Sequence, residues 1–126
     1  MAKILVVEDD LTNLEIIVRF LKIRRFEVLT AANGPEGVAL AAAGSPDLIL
    51  MDLGLPEPED GLEATRQIRA QAGTERIPII AFTARTMAQD KQRARDAGCN
   101  DFESKPVDFR RLLVKIEQCL SNGEKA

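Results

Sequence analysis

Three observations predict an α/β fold, a doubly wound five-stranded parallel sheet with five helices. Short apolar runs alternate with longer amphipathic segments along the whole chain. The runs Ile4–Val7 and Leu48–Met51 are apolar throughout, as in strands buried on both faces. The 126 residues, 45% of them hydrophobic, suffice for one core and argue against two large domains.

Taken in order, Lys3–Glu8 is a β-branched run and reads as the first strand. Leu11, Leu14, Ile17, Val18 and Leu21 then follow helical spacing, with Arg19, Lys22 and Arg24 opposite. Phe26–Ala31 is a shorter strand. Asn33-Gly34-Pro35-Glu36 turns into a helix that Gly44-Ser45-Pro46 ends. Asp47–Asp52 is the third strand, followed by an acidic, proline-rich loop, Gly54–Gly61. Leu62, Thr65, Ile68 and Arg69 lie on a helix ending near Gly73. Ile77–Phe82 is the fourth strand, with Pro78 near its start, where a strand tolerates proline. Thr86–Ala97 reads as helix, Asp101–Ser104 as the fifth strand, and Asp108–Leu120 as the last helix. Residues 1–121 form one domain and 122–126 a flexible tail. Parallel strands need crossovers, which are right-handed and place helices on both faces.

Composition removes several function classes. Seventeen basic and 20 acidic side chains leave a net charge of −3, so no overall positive field attracts nucleic acid or anionic lipid. Histidine is absent. Ser-His-Asp catalysis, His-ligated zinc and a phosphohistidine on this chain are thereby excluded. Cys99 and Cys119 match no metal or redox spacing and read as small hydrophobes. The start, Met1-Ala2-Lys3, runs directly into the first strand with no secretory leader. The expected setting is cytoplasmic, without membrane insertion or direct nucleic-acid contact.

Doubly wound sheets bind ligands beyond the carboxyl ends of their strands. Glu8, Asp9 and Asp10 follow the first strand, Asp52 ends the third, Thr83 follows the fourth, and Lys105-Pro106 the fifth. If the first and third strands are neighbours, at least three carboxylates meet. Two like charges roughly 4 Å apart repel by about 4 kcal/mol at an effective dielectric of about 20. A hard divalent cation and the Lys105 ammonium would neutralise them. Oxygen-only donors suit Mg²⁺ or Mn²⁺. Asp9 or Asp10 also suits the cap of the helix from Leu11. A flavodoxin-like phosphate cradle is ruled out by Glu8-Asp9-Asp10, and neither dinucleotide nor P-loop glycine motif is present.

These residues resemble a known family, the receiver domains of two-component response regulators. The resemblance covers essentially the whole chain. It rests on K-I-L-V-V-E-D-D, P-D-L-I-L-M-D-L-G-L-P around Asp52, D-G-L-E-A-T, A-F-T-A at Thr83, and D-A-G-C-N-D-F-E-S-K-P at Lys105. It implies strand order 2-1-3-4-5 and Asp52 as acceptor of a phosphoryl group from phosphohistidine. Glu8, Asp9, Asp52 and the Gly54 carbonyl would hold Mg²⁺. Thr83 and Lys105 would meet the phosphoryl oxygens, with Thr83 and Phe102 forming the switch. A cis Lys105–Pro106 bond is implied as well. A histidine kinase or histidine phosphotransfer protein would be the donor. A downstream protein effector would read the 84–109 face and the last helix.

Some features depart from the family. Glu57-Pro58-Glu59-Asp60 makes the loop one residue longer, which should displace it outward. Phe102 lacks a hydroxyl, so it can switch only through packing. Gly54 and Arg85 lack the carboxamide or carboxylate that could align a hydrolytic water, so self-dephosphorylation should be slow. No output domain follows Leu120, which suggests a stand-alone receiver that is not a turnover enzyme. Two rivals are a receiver-shaped scaffold that takes no phosphate and an Asp52-nucleophile Mg²⁺ phosphohydrolase. The latter usually needs a D-x-D motif and a cap domain, but position 54 is glycine and no insertion is long enough.

Overall fold

The computed structural model describes residues 1–54, 58–84 and 87–125, the side chains of 58–59 and 122–125 excepted. Its elements run β1 (Lys3–Val7), α1 (Leu11–Ile23), β2 (Glu27–Ala31), α2 (Gly34–Gly44), β3 (Leu48–Asp52), α3 (Pro58–Ala70), β4 (Ile79–Thr83), α4 (Ala88–Ala97), β5 (Asp101–Ser104) and α5 (Phe109–Lys125). All strand pairs are parallel, in the expected order β2-β1-β3-β4-β5.

Every residue of β3 and β4 is buried, which accounts for their apolar runs up to the terminal Asp52 and Thr83. The sheet separates two cores. Leu5, Val7, Ile49, Met51, Ile68, Ile79 and Ala81 pack on one side, with Ala41 of α2 and Ala94 of α4. Ile4, Val6, Leu48, Leu50, Ile80 and Phe82 pack on the other, with Ile17 and Leu21 of α1 and Leu112 and Ile116 of α5.

Local chemistry explains the helix starts. Asp10 caps α1 by accepting from the Asn13 N–H at 3.0 Å, and Asn33 caps α2 through the Glu36 N–H at 2.9 Å. Asp108 accepts from the Arg110 and Arg111 N–H groups at the start of α5.

Several boundaries correct the sequence reading. Helix α3 begins at Pro58, inside the segment expected to be loop up to Gly61. Proline is well placed there, because a first-turn residue needs no N–H donor. Pro58, Glu59 and Asp60 thus belong to a helix, while Leu55, Pro56 and Glu57 of the lengthened loop lie outside the described residues. Helix α4 starts at Ala88, with Arg85 and Thr86 also outside. Helix α5 continues to Lys125, past its expected end at Leu120.

Candidate phosphoacceptor site

Register brings the acidic residues level. Val7 pairs with Met51, so Glu8 and Asp52 each stand one residue beyond that pair of β1 and β3, and Asp52 is paired with Phe82 of β4. The Glu8 N–H bonds the Ala31 carbonyl at 3.0 Å, which fixes how the chain leaves β1. Glu8, Asp9 and Asp52 each offer a carboxylate oxygen within 4.8 Å of the others. Glu8 is 0% and Asp52 2% exposed, whereas Asp9 faces solvent. Asp10 is exposed and its side chain caps α1, which settles which acid serves the helix.

Lys105 completes the pocket. Its Nζ lies 3.1 Å from Asp52 Oδ2 and 3.8 Å from Glu8 Oε1. It also sits over the Phe82 ring, 5.3 Å from the centroid. The Lys105–Pro106 bond is cis, as the resemblance implies. The Lys105 N–H bonds the Thr83 carbonyl at 2.9 Å, joining the ends of β4 and β5. Thr83 itself is buried at 4% exposure. Gly54 donates its N–H to Asp52 Oδ1 at 2.9 Å, so both carboxylate oxygens have partners. Phe102 stands farther out on β5, half-buried, with Lys91 Nζ 5.8 Å from its ring centroid.

Glu8 tests whether a cation fits. Its two carboxylate oxygens are buried without a hydrogen-bond partner. Burial, followed by the neighbouring Asp52, pushes this carboxyl up from 4.5 to about 8 against the pull of Lys105. A buried carboxyl with idle lone pairs, facing two further carboxylates, suits an oxygen-preferring divalent ion. The residues therefore fit Mg²⁺.

Sequence reasoning missed one residue of the site. A Cβ on Gly61 would lie 2.6 Å from the Asp52 carbonyl oxygen and 2.8 Å from Leu53 Cα. Only glycine lets α3 press this closely on the backbone that carries Asp52. The Asp60-Gly61 pair of the D-G-L-E-A-T marker was the available signal.

Known proteins are similar to this chain over nearly its whole length. A family model described as "Response regulator receiver domain" matches residues 4–117. Protein PilH of Pseudomonas aeruginosa is 39% identical over 121 residues, which cover 96% of this chain and 99% of that protein. The receiver domain of sensor histidine kinase PA1611 from Pseudomonas aeruginosa, solved with a magnesium ion coordinated in the active site cleft, superposes with a TM-score of 0.87. It is 37% identical, over 95% of this chain and 98% of that one. A chain from the Saccharomyces cerevisiae co-crystal of the histidine phosphotransfer protein Ypd1 with the Ssk1 receiver domain gives a TM-score of 0.81. Identity there is 36%, over 91% of this chain and 86% of that chain. No helix among the described residues is long and apolar enough to cross a membrane. The strand order, the gathered acids beside Lys105 and these likenesses agree, and the chain belongs to the response regulator receiver domains of two-component signalling.

Proposed function

We propose that Asp52 accepts a phosphoryl group from a phosphohistidine donor in a Mg²⁺-dependent reaction. The observation carrying this reading is the meeting of Glu8, Asp9 and Asp52 within 4.8 Å, with the Lys105 ammonium 3.1 Å from Asp52. Glu8, Asp9, Asp52 and the Gly54 carbonyl would hold the ion, and the same donors admit Mn²⁺. When bound, it supplies neutralising charge for the site and the phosphoryl oxygens.

The protein's own part is to position and to compensate charge. Gly54 N–H and Lys105 Nζ hold the Asp52 carboxylate from its two oxygens. One of those oxygens attacks phosphorus in line. The phosphorus–nitrogen bond breaks, and its electron pair stays on the imidazole of the donor. Lys105 then pairs with one phosphoryl oxygen and the Thr83 hydroxyl bonds another. A histidine kinase or histidine phosphotransfer protein suits the donor role, since this chain has no histidine of its own. Phe102 and the 84–109 surface, with the last helix, would report the added charge to a protein effector. Signalling by contact, without substrate turnover, is the matching mode of action.

The test is incubation with acetyl phosphate or a phosphorylated histidine donor, with and without Mg²⁺. The intact protein should gain one phosphoryl group only when Mg²⁺ is present, and Asp52→Asn should gain none. Failure to label, with a donor that labels a control receiver, would favour the non-phosphorylated scaffold. Equal labelling of Asp52→Asn would place the acceptor elsewhere.

A further inference from the structure

The ammonium of Lys105 has neighbours of two unlike kinds. Asp52 and Glu8 attract it as opposite charges, at 3.1 and 3.8 Å. The third neighbour is uncharged: the ring of Phe82, whose centroid lies 5.3 Å from Nζ. Register accounts for the ring's place. Asp52 of β3 pairs with Phe82 of β4, and Phe82 pairs with Glu103 of β5, two residues before Lys105. Phe82 thus stands between the strand that carries the phosphoacceptor and the strand that leads to the lysine. It belongs to the second core and is 2% exposed, so close packing holds the ring in one orientation.

Lys105 is less constrained. Its side chain is 25% exposed and ends in a compact charge on a flexible four-carbon stem. A groove of about 480 Å³ opens beside it, with Asn13, Ile16, Phe82, Pro106 and Phe109 among its walls. The ammonium therefore has somewhere else to go. In the resting site the two carboxylates oppose that departure. A cation on Glu8 and Asp52 would compete for the same oxygens, and a phosphoryl group would take one oxygen of Asp52. The ring is not subject to either competitor. An aromatic face attracts a cation through its quadrupole, and this leaves the ammonium's N–H donors free for an incoming oxygen.

We infer that Phe82 is a positioning residue for phosphoryl transfer, its ring a platform that keeps the Lys105 ammonium beside Asp52 while the carboxylates are engaged. An aliphatic side chain at position 82 could fill the core but would exert no such attraction. The ring's hold on Lys105 stands by itself; its use in the reaction rests on the phosphoacceptor reading.

Fluorinated phenylalanines at position 82 of the full chain test the platform, because successive fluorines drain the negative face of the ring and barely change its shape. With Mg²⁺ and acetyl phosphate, labelling of Asp52 should slow at each step of fluorination, by about three- to tenfold with pentafluorophenylalanine. The unfolding midpoint should not fall in parallel. Phe82→Leu should slow labelling by a similar factor, and if that variant fails to fold the fluorinated series still decides. A second readout needs neither ion nor donor. In NMR spectra of the unmodified protein, the ring current should place the Lys105 Cε protons upfield of those of Lys3 and Lys22, and Phe82→Leu should remove the difference. One labelling rate across the series, or a rate that merely tracks the unfolding midpoint, would overturn the positioning role and leave the phosphoacceptor reading intact. Lys105 protons level with those of Lys3 and Lys22 in the unmodified protein would overturn it too. Upfield Lys105 protons in a protein that no competent donor labels would keep the ring's hold and sink the phosphoacceptor reading.

Discussion

Glu8 is where burial and charge conflict most openly. Its carboxyl, raised from 4.5 to about 8, keeps in the folded state a proton that the unfolded chain releases above 4.5. The resulting stability is complete below 4.5 and is lost as pH rises towards 8. A divalent cation needs the ionised form, so its binding must expel that proton and must strengthen with pH over the same window. Calorimetry of Mg²⁺ binding at neutral pH, in buffers of different ionisation enthalpy, should show heats that depend on the buffer. Buffer-independent heats would mean that Glu8 is already ionised. Glu8→Gln should bind Mg²⁺ far more weakly and lose that part of the pH dependence. Glu8, Asp52 and Lys105 were readable from sequence because each stands where a strand ends. Arg69 was not, since nothing near it in sequence announces that its guanidinium will reach Gly98 and Asn100.

Among the elements, α3 carries a demand that its own pattern hides. Its apolar positions announce a helix, but the requirement for glycine at 61 comes from β3 backbone pressing from outside. Gly61→Ala should cost about 1–3 kcal/mol in urea denaturation through overpacking, despite the better helix propensity of alanine. The same change should slow labelling of Asp52, because the atom displaced first is its own carbonyl oxygen. A neutral or stabilising result would mean that α3 can move away freely. Pro58 shows the opposite situation. Its place at the head of α3 was legible from proline's first-turn preference, and the acidic, proline-rich run around it obscured the signal.

For the whole molecule, closing the carboxyl ends of β1 and β3 on three carboxylates is costly until a cation arrives. Mg²⁺ at a hundred times its dissociation constant should add about 2.7 kcal/mol to global stability. Thermal unfolding with increasing Mg²⁺ should show the rise in the parent protein and little in Glu8→Gln. Equal gains in both would point to binding elsewhere. The phosphorylated form should also be long-lived, because Gly54 offers no side chain to align an attacking water. A half-life of seconds in purified protein without a phosphatase would contradict this.

From the sequence alone came the alternation of strands and helices, the absence of histidine, and the chemical groups at each strand end. Those are local properties, written in periodicity and in single residues. Tertiary structure decided which ends meet. Only the pairing of β1 with β3 turns separate acids into one pocket, and only the pairings of β3 with β4 and of β4 with β5 set Lys105 across from Asp52. It also decided where Gly61 must lack a side chain and where Arg69 must reach. Contacts between distant segments depend on how both faces of the sheet bury their apolar surface together, and no short window of residues contains that information.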